Sequence, residues 1–424
     1  MRKWLSILLL VGLAVSLRPA AARAATAPPA PPRILLDGLP LVPEVPPQII
    51  HDRTMVPFRK VAEALGVRVD WDGVTRTVTA VGFGKTVRLV IDDPVARVND
   101  LPTKLDVPPT IINDRTLVPL RFISEAFGGV VDWNGTTRTV TVISPVRPMR
   151  TLAFYAIRSY GQRDLVAQFS DVAYGWSTLL PDGTLSLTGP GDYKWPEPDG
   201  DVTGERLLAD AASAHTQRLL MVYGSDRHDD FTKLVQDPAR VAKAADSIAA
   251  AVSAKGFDGA LIDIEGLGLT ETGDALARIQ QGFTGLVQAV GARLRPAGKQ
   301  VIVALPPLNG SYHGYDYAAL GQAADFIDIM AYDYLDHTRD AGPNPEPWEQ
   351  VEEAIALALR EVARERLLLG IATPYETPET VAQKAGLAKR YSLAGIAVWR
   401  LGVGTLDHDQ MTAIQTAVTP LRQK

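Results

Sequence analysis

The chain has 424 residues, of which 46% are hydrophobic and 21% are charged, and its formal net charge is -5. This mild negative charge argues against a general nucleic-acid binder, which needs a basic surface. The absence of cysteine excludes disulfides, thiolate metal sites and a cysteine nucleophile. The six histidines show no metal-ligand spacing, so we expect neither a metal nor another cofactor.

The N-terminus has the pattern of an export signal. A basic start at Arg2 is followed by an apolar run over residues 4–17, which is too short to span a bilayer comfortably. A small-x-small cleavage pattern ends at Ala24. We predict a cleaved signal peptide over residues 1–24 and an Ala/Pro-rich linker over residues 25–32, with a retained membrane anchor as the alternative.

An internal repeat follows the linker. The segment Asp52-Arg-Thr-Met-Val-Pro-Phe-Arg returns 62 residues later, at Asp114, as Asp-Arg-Thr-Leu-Val-Pro-Leu-Arg, and a Val-Asp-Trp segment recurs at the same offset. Each copy reads as a short helix followed by a hairpin whose turn is Asp-Gly or Asn-Gly. We therefore predict a small duplicated α+β domain over residues 33–144.

This duplicated segment resembles the copper amine oxidase N-terminal-like, or stalk, domain of exported proteins. His51 is the only histidine within it, so we expect no copper site. The repeat-related Trp71 and Trp133 either stack on sugars or pack within their hairpins, and packing is favoured. The resemblance implies attachment to the cell envelope or spacing from it.

Beyond residue 149 the pattern changes to apolar runs that alternate with helical stretches. Eight such repeats in the remaining residues have the size and rhythm of a (β/α)8 TIM barrel, which we predict over residues 149–424. A doubly wound sheet is the alternative, but no Gly-rich phosphate loop follows the first run. The predicted strands cover residues 151–157, 171–176, 218–223, 259–264, 300–305, 326–332, 367–371 and 395–399.

The fourth predicted strand carries carboxylates at its end. Alternate residues of a strand share a face, so Leu261, Asp263 and Glu265 point one way and Ile262 and Ile264 the other. The isoleucine face must meet the helix layer, which turns both carboxylates into the barrel mouth where active sites lie. Ordinary buried ion pairs are the alternative role for these two acids.

At this strand the sequence resembles glycoside hydrolase family 18, whose signature reads Asp-Gly-x-Asp-x-Asp-x-Glu. Asp258, Gly259, Asp263 and Glu265 match it, whereas Leu261 replaces the middle acid. The resemblance extends over residues 150–420 and includes a Met-x-Tyr-Asp motif and a late tryptophan. Segments 317–330, 367–371 and 398–402 resemble the spore-cortex and cell-wall branch of the family.

The resemblance implies substrate-assisted, retaining hydrolysis. Glu265 would protonate the glycosidic oxygen, Asp263 would orient the 2-acetamido group that attacks the anomeric carbon, and Tyr332 would donate a hydrogen bond to its oxygen. The implied sugar-binding residues are Trp399, Asp333, Tyr155, Met330, Tyr334 and Trp176. For Tyr334 and Trp176 a structural role is nearly as well supported.

The departure at Leu261 affects the expected electrostatics. In the family the acid at this position shares a proton with the next acid along the strand. Because leucine removes that like charge, we expect Asp263 to ionise more readily and the pH dependence to change, while activity is kept.

The predicted function is that of an exported glycosidase acting on β-1,4-linked N-acetylglucosamine polymers, with bacterial peptidoglycan or spore cortex favoured. A chitinase or endo-β-N-acetylglucosaminidase is the first alternative, and a non-catalytic carbohydrate-binding barrel is the second. We expect a monomer whose partners are the polysaccharide and the cell envelope, without nucleic acid.

Overall fold

The computed structural model describes residues 30–156, 159–189, 191–337, 343–402 and 406–422. The predicted signal peptide and most of the predicted linker lie outside these residues, so their assignment stays a prediction. Within the described ranges, none of the helices combines the length and the apolar character needed to cross a membrane.

The first part of the chain is a small β-rich unit with two short helices. The end of each helix is marked by a glycine with positive φ, Gly66 at 78° and Gly128 at 91°. Its elements are β1 Arg33–Leu36, β2 Leu39–Pro40, β3 Gln48–Ile50, β4 Arg53–Pro57, α1 Phe58–Ala64, β5 Arg68–Asp72, β6 Thr77–Gly82, β7 Lys85–Val90, β8 Val95–Val98, β9 Leu101–Lys104, β10 Thr110–Ile112, β11 Arg115–Pro119, α2 Leu120–Ala126, β12 Val130–Asn134 and β13 Thr139–Ile143.

The duplication seen in the sequence is also a structural duplication. Each element from β1 to β6, including α1, has a counterpart 62 residues later among the elements from β8 to β13. Strand β7 has no counterpart among them. The two halves meet where β4 pairs with β11 in antiparallel register, Val56 lying opposite Val118. The hairpin turns are fixed alike, since the Asp72 carboxylate accepts from two turn N–H groups and the Asn134 amide oxygen does the same.

The second part of the chain is the predicted TIM barrel. Eight parallel strands follow one another around the barrel, and the last pairs with the first, which closes it. The strands are β14 Arg147–Tyr155, β15 Asp171–Leu179, β17 Gln217–Ser225, β18 Gly259–Glu265, β19 Gln300–Leu305, β20 Phe326–Ile329, β21 Leu367–Ala372 and β22 Gly395–Leu401, with β16 Leu185–Ser186 and β23 Val418–Pro420 as short additions.

Helices surround this sheet, as the alternating pattern predicted. A 3₁₀ segment, Tyr160–Gln168, follows the first barrel strand, and a regular helix follows each later one. The helices are α3 Gly204–Ser213, α4 Asp230–Val235, α5 Pro238–Ala254, α6 Gly273–Leu294, α7 Tyr317–Ala323, α8 Trp348–Glu361, α9 Pro378–Arg390 and α10 His408–Ala417.

The faces of the fourth barrel strand, β18, agree with the sequence prediction. Leu261 belongs to the apolar cluster inside the barrel, whereas Ile262 and Ile264 belong to the larger cluster between strands and helices. Strand alternation thus directs Asp263 and Glu265 inward. The sixth barrel strand, β20, is shorter than predicted and ends at Ile329, so the Met-x-Tyr-Asp motif lies in the loop that follows it.

The duplicated unit is held firmly against the barrel beside α9. Arg390 donates to the carbonyl oxygens of Leu36 at 3.2 Å and Leu39 at 3.3 Å. Arg147 donates to Leu65 O and Lys389 O, both at 2.8 Å, and so links the two units. These partly buried hydrogen bonds join the duplicated unit directly to the barrel, beyond the covalent connection between them.

One buried ion pair at this junction gives a test of the docking. The Lys389 ammonium is 3% exposed and lies 3.8 Å from the Asp37 carboxylate, which is 9% exposed. Asp37→Ala would leave a buried cation without its partner, so we expect the free energy of unfolding to fall by about 3 kcal/mol. Denaturant titration measures this, and adding Lys389→Met should recover part of the loss. An unchanged midpoint in Asp37→Ala would show that the pair does not support the junction.

Candidate active site

The end of β18 brings two carboxyl groups to the mouth of the barrel. Asp263 is 2% exposed, and Glu265, the last residue of the strand, is partly exposed. Gly266 follows with φ of 93°, a conformation that suits glycine. Burial and then the charge of Asp333 raise the Glu265 pKa, against the opposite effect of Arg227. Glu265 therefore keeps its proton to a higher pH than an ordinary glutamate, as a general acid requires.

Asp263 lies one layer deeper in the barrel. Burial, then the charges of Glu265 and Asp328, raise its pKa well above the ordinary value. Its Oδ1 has no hydrogen-bond partner among the described residues. The Asp263 pKa therefore depends on the charge states of Glu265 and Asp328.

Tyr332 is the neutral donor of the group. Burial and the charges of Asp328, Asp263, Glu265 and Asp333, in that order, raise the pKa of its phenol. The hydroxyl consequently stays protonated and can donate a hydrogen bond beside the carboxyls. The structure thus brings together the three residues predicted to act on the glycosidic bond.

A hydrogen-bonded network fixes the loop that carries Asp333. The buried Glu346 accepts from the N–H of Asp333 at 2.8 Å through Oε1 and from the N–H of Tyr334 at 3.2 Å through Oε2. His337 Nε2 lies 2.6 Å from Glu346 Oε1, and its ring stacks on Tyr375 at 3.6 Å. The network sets the backbone directly after Tyr332.

The same network contains a possible set of metal ligands. Ligand atoms of Asp333, His337 and Glu346 all lie within 4.8 Å of one another. Both oxygens of Glu346, however, already accept backbone hydrogen bonds. The arrangement is accounted for by loop positioning, and no step of the chemistry requires a metal here. Sequence spacing alone gave no sign of this contact, because it depends on how the loop folds.

Asp328 is a site residue that the sequence analysis missed. It lies on β20, is fully buried, and neither of its carboxyl oxygens has a partner among the described residues. Burial raises its pKa to about 8, so it is neutral near pH 7. A signal was present in the sequence, because Asp328 lies two residues before Met330 on the predicted strand, and so shares a face with a residue that was implied to bind the sugar.

The strand register places Asp328 level with Asp263. Ala304 on β19 pairs with Asp328 on one side, and the preceding residue, Val303, pairs with Ile262 on the other. Alternate strands of a TIM barrel contribute side chains to one interior layer, and β18 and β20 are the fourth and sixth strands. The small Ala304 between them leaves room for the two carboxyls to approach.

Gly370 on the neighbouring strand β21 provides the remaining space. A methyl group added there would lie 3.0 Å from the Tyr332 ring and 3.1 Å from Asp328 Oδ1, with Ile329 O at 2.7 Å. We expect Gly370→Ala to displace both side chains and to lower kcat by about tenfold or more, since small misplacements are costly in catalysis. Steady-state kinetics on a soluble chitooligosaccharide measures the change.

A second glycine provides the control for that substitution. Gly285 lies within α6, and a methyl group there would meet nothing within 4 Å. Gly285→Ala should keep full activity and stabilise the fold by about 0.5–1 kcal/mol, because alanine suits a helix better. Wild-type kcat in Gly370→Ala would show that Tyr332 and Asp328 tolerate displacement.

Aromatic side chains line the same end of the barrel interior. Trp399 packs edge-on against Phe154, with ring centroids 5.2 Å apart, and Met330 belongs to the same interior cluster. Tyr193 and Tyr223, which the sequence analysis missed, are stacked 3.8 Å apart. Burial and the charges of Asp263 and Glu265 raise the pKa of both phenols, so the pair lies beside the carboxyls.

Three of the predicted aromatic residues lie outside this interior cluster. Tyr155 is 1% exposed and Trp176 is 0% exposed, and both belong to the core between the strands and the helices. Their prediction as sugar-binding residues was wrong, because they point to the outer face of their strands. Tyr334 is turned towards the helices at the rim, where its hydroxyl donates to Asn309 at 3.0 Å.

The surroundings of Asp263 include more than its own strand. Leu261 does remove an acid from β18, but Asp328 supplies another from β20. Burial first, and then the charges of Glu265 and Asp328, raise the Asp263 pKa above its ordinary value. The expected easier ionisation was relative to a chain with an acid at position 261, and it stays a prediction.

Comparison with known families identifies both parts of the chain. The model described as copper amine oxidase N-terminal domain matches residues 35–142, and the model described as glycosyl hydrolases family 18 matches residues 150–374. A curated protein of Bacillus subtilis (strain 168), named "Putative sporulation-specific glycosylase YdhD", is 25% identical over 255 residues, or 55% of this chain and 54% of that protein. The chain thus spans about half the length of this relative.

Solved structures share the barrel fold. A chitinase from Chromobacterium violaceum ATCC 12472 superposes with a TM-score of 0.52 at 19% identity, over 63% of this chain and 98% of that one. The Bacillus cereus spore cortex-lytic enzyme SleL gives 0.54 at 16% identity, over 66% of this chain and 77% of that one. At such identities the likeness concerns the fold alone.

Proposed function

The chain belongs to the glycosyl hydrolases of family 18, whose model matches more than half of its residues, and we propose a function from this membership. The proposed protein is an exported enzyme that cleaves β-1,4-linked N-acetylglucosamine polymers of the bacterial cell wall or spore cortex. The observation that carries the proposal is the group formed by Glu265, Asp263 and Tyr332 at the barrel mouth. Its acid has a raised pKa, and a protonated phenol lies beside it.

In the proposed reaction Glu265 donates its proton to the glycosidic oxygen as the bond to the anomeric carbon breaks. The oxygen of the substrate's own 2-acetamido group attacks that carbon, forming a cyclic oxazolinium ion with release of the shortened polymer. Asp263 accepts from the acetamido N–H, and Tyr332 donates to the acetamido oxygen. Glu265, now ionised, takes a proton from water, which opens the ring and gives a product of retained configuration.

Asp328 positions Asp263 in this proposal. As a neutral acid it can donate its O–H to an Asp263 oxygen, and this would satisfy two buried groups at once. The interaction would hold the Asp263 carboxylate towards the acetamido group without adding a second negative charge. Asp328 does not touch the substrate, so its contribution would be to geometry and to the Asp263 pKa.

Further residues would bind the polymer. Trp399 offers a flat apolar face at the end of the last barrel strand, and Asp333 lies close enough to affect the Glu265 pKa. The stacked Tyr193 and Tyr223 form one wall beside the carboxyls. Flat aromatic walls with a few polar groups suit a sugar ring, which has apolar faces and a polar edge.

The wall or spore polymer is favoured over chitin on two grounds. The curated relative carries the name of a sporulation-specific glycosylase. The duplicated unit, docked on the barrel, would keep the enzyme at the envelope. A chitinase or endo-β-N-acetylglucosaminidase remains the second candidate, since the same family and the same catalytic group would serve it.

A digestion experiment separates these candidates. The full chain without its signal segment is incubated with purified peptidoglycan, spore cortex fragments and colloidal chitin, and soluble products are identified by mass. We expect muropeptides with N-acetylglucosamine at the reducing end. Chitooligosaccharides alone would favour the second candidate, and no product from any polymer would support a non-catalytic sugar-binding barrel.

A further inference from the structure

Two matching grooves lie on the surface of the duplicated unit. The first has a volume of about 550 Å³ and is lined among others by Pro57, Arg59, Trp71, Val78, Arg115 and Thr116. The second has a volume of about 370 Å³ and is lined among others by Pro119, Arg121, Trp133, Val140, Arg53 and Thr54. Each residue of one set lies 62 positions from its counterpart in the other.

Both grooves are shared between the two repeats. Each combines a helix start and hairpin from one repeat with the edge of the central β4–β11 pairing from the other. Trp71 therefore faces residues of the second repeat, and Trp133 faces residues of the first. Both repeats therefore retain the tryptophan together with the residues that surround it in the groove.

The tryptophans are exposed side chains at these grooves. Trp71 is 42% exposed and Trp133 is 37% exposed, whereas Val78 and Val140 beneath them are 3% exposed. Each indole also packs on its own hairpin turn, since a methyl group added at Gly73 or Gly135 would lie 3.5 Å from Trp71 Nε1 or 3.4 Å from Trp133 Nε1. The remaining exposed part of each indole lies at a groove wall, where a flat ligand can stack on it.

The arginines at the grooves already have acidic partners. Arg115 lies 3.0 Å from Glu44, and Arg53 lies 2.6 Å from Asp106. Arg59 is likewise paired with an acid on its own helix, and so is Arg121. A groove with a flat apolar wall, hydrogen-bonding groups and balanced charge suits an uncharged sugar chain better than a polyanion.

We propose that the two repeat-related grooves are a pair of equivalent binding sites for β-linked N-acetylglucosamine chains, each holding one sugar face on Trp71 or Trp133. The ligand class rests on the proposed function of the barrel, whereas the sites themselves do not. Two sites on one rigid unit engage a polymer together, so their combined affinity exceeds that of either one. The duplication would thereby hold the barrel on its insoluble substrate.

Binding to insoluble polymer tests the inference. The full chain carries Glu265→Gln in every sample, to prevent hydrolysis, and is pulled down with colloidal chitin and with peptidoglycan sacculi freed of teichoic acid. Trp71→Leu and Trp133→Leu keep apolar bulk on the strand but remove the flat face. Each should weaken apparent binding by about tenfold or more through lost avidity, and the double variant should weaken it further. Trp71→Phe and Trp133→Phe, which keep a flat ring at each groove, are the matched controls and should keep most of the binding.

The outcomes are distinct. Parent-like binding by the folded double variant would overturn the inference, and so would an effect confined to one tryptophan, because the sites are proposed as equivalent. Capture by anionic teichoic acid, but by neither glycan, would also overturn it. Wild-type hydrolysis of the same polymers is measured separately, so a failure of the grooves leaves the proposed function intact and a failure of hydrolysis is seen on its own.

Discussion

Glu265→Gln is expected to fold normally and to lose about 10²–10⁴-fold in kcat/KM. Glutamine matches the size of glutamate and can still donate a hydrogen bond, but it has no proton to give to the leaving oxygen. The wild-type acid has a raised pKa, so its activity should fall as pH rises through that pKa. The residual activity of the variant should lack this alkaline limb. Kinetics on a chitooligosaccharide between pH 4 and about pH 9 measures both effects.

Glu361→Gln provides the control for this substitution. Glu361 is an exposed acid at the end of α8, on the outside of the barrel. Its replacement should leave both the rate and the pH profile unchanged. If Glu265→Gln kept more than about a tenth of wild-type activity, Glu265 would not be the general acid, because such a loss is below that expected for removing one.

The central part of the site follows from local rules. Alternation on β18 is a property of a single strand, so Asp263 and Glu265 could be predicted to point inward from seven residues of sequence. The site positions that depend on one strand were therefore predictable.

The direction of a side chain was harder to predict where it depends on which face of the strand meets the barrel interior. Tyr155 and Phe154 are neighbours on β14, and only one of them can point into the barrel. The family resemblance implied Tyr155 as a sugar-binding residue, but closure of the barrel turns Phe154 inward. Trp176 was misassigned for the same reason, since residues buried on both sides of a parallel sheet show no polar face to orient them.

Contacts between distant segments could not be predicted at all. Tyr193 comes from a long loop and reaches Tyr223 on β17 without any periodic signal. His337 meets Glu346 only because the loop after β20 folds back. Asp328 is intermediate, since its direction was predictable but its proximity to Asp263 depends on the register across three strands.

Asp328→Asn is expected to make the protein more stable near neutral pH. The pKa of Asp328 is about 8 in the folded chain, above the ordinary value of an unfolded aspartate. Its contribution to stability is therefore fully present below about pH 4 and is lost as pH rises towards 8. Asparagine does not titrate, so the variant should lose this slope, up to about 1.4 kcal/mol per pH unit. Denaturant unfolding at several pH values measures it.

Substitutions at Asp328 also show whether it acts through Asp263 in catalysis. Asp328 keeps its proton up to about pH 8 and can donate it in a hydrogen bond to the Asp263 carboxylate, so Asp328→Leu, which has no donor, should move the acidic limb of the kcat/KM profile to higher pH and lower kcat. Asp328→Asn keeps a donor, so it should leave the acidic limb in place. Asp274→Asn, at an exposed acid in the first turn of α6, should change neither quantity.

The partner acid of Asp263 can also be moved from β20 to position 261 on β18. Leu261→Asp alone would place a third carboxyl beside Asp263 and Asp328. It should move the acidic limb of the kcat/KM profile to higher pH and so narrow the pH range of activity. Combined with Asp328→Leu, it restores two inward acids with the partner on the other strand. If a neighbouring acid is what Asp263 requires, the double variant should recover activity that Asp328→Leu loses. Acidic limbs that superimpose in Asp328→Leu and wild type would instead show that the Asp263 pKa does not depend on Asp328, and that Asp328 is a buried acid with no part in the reaction.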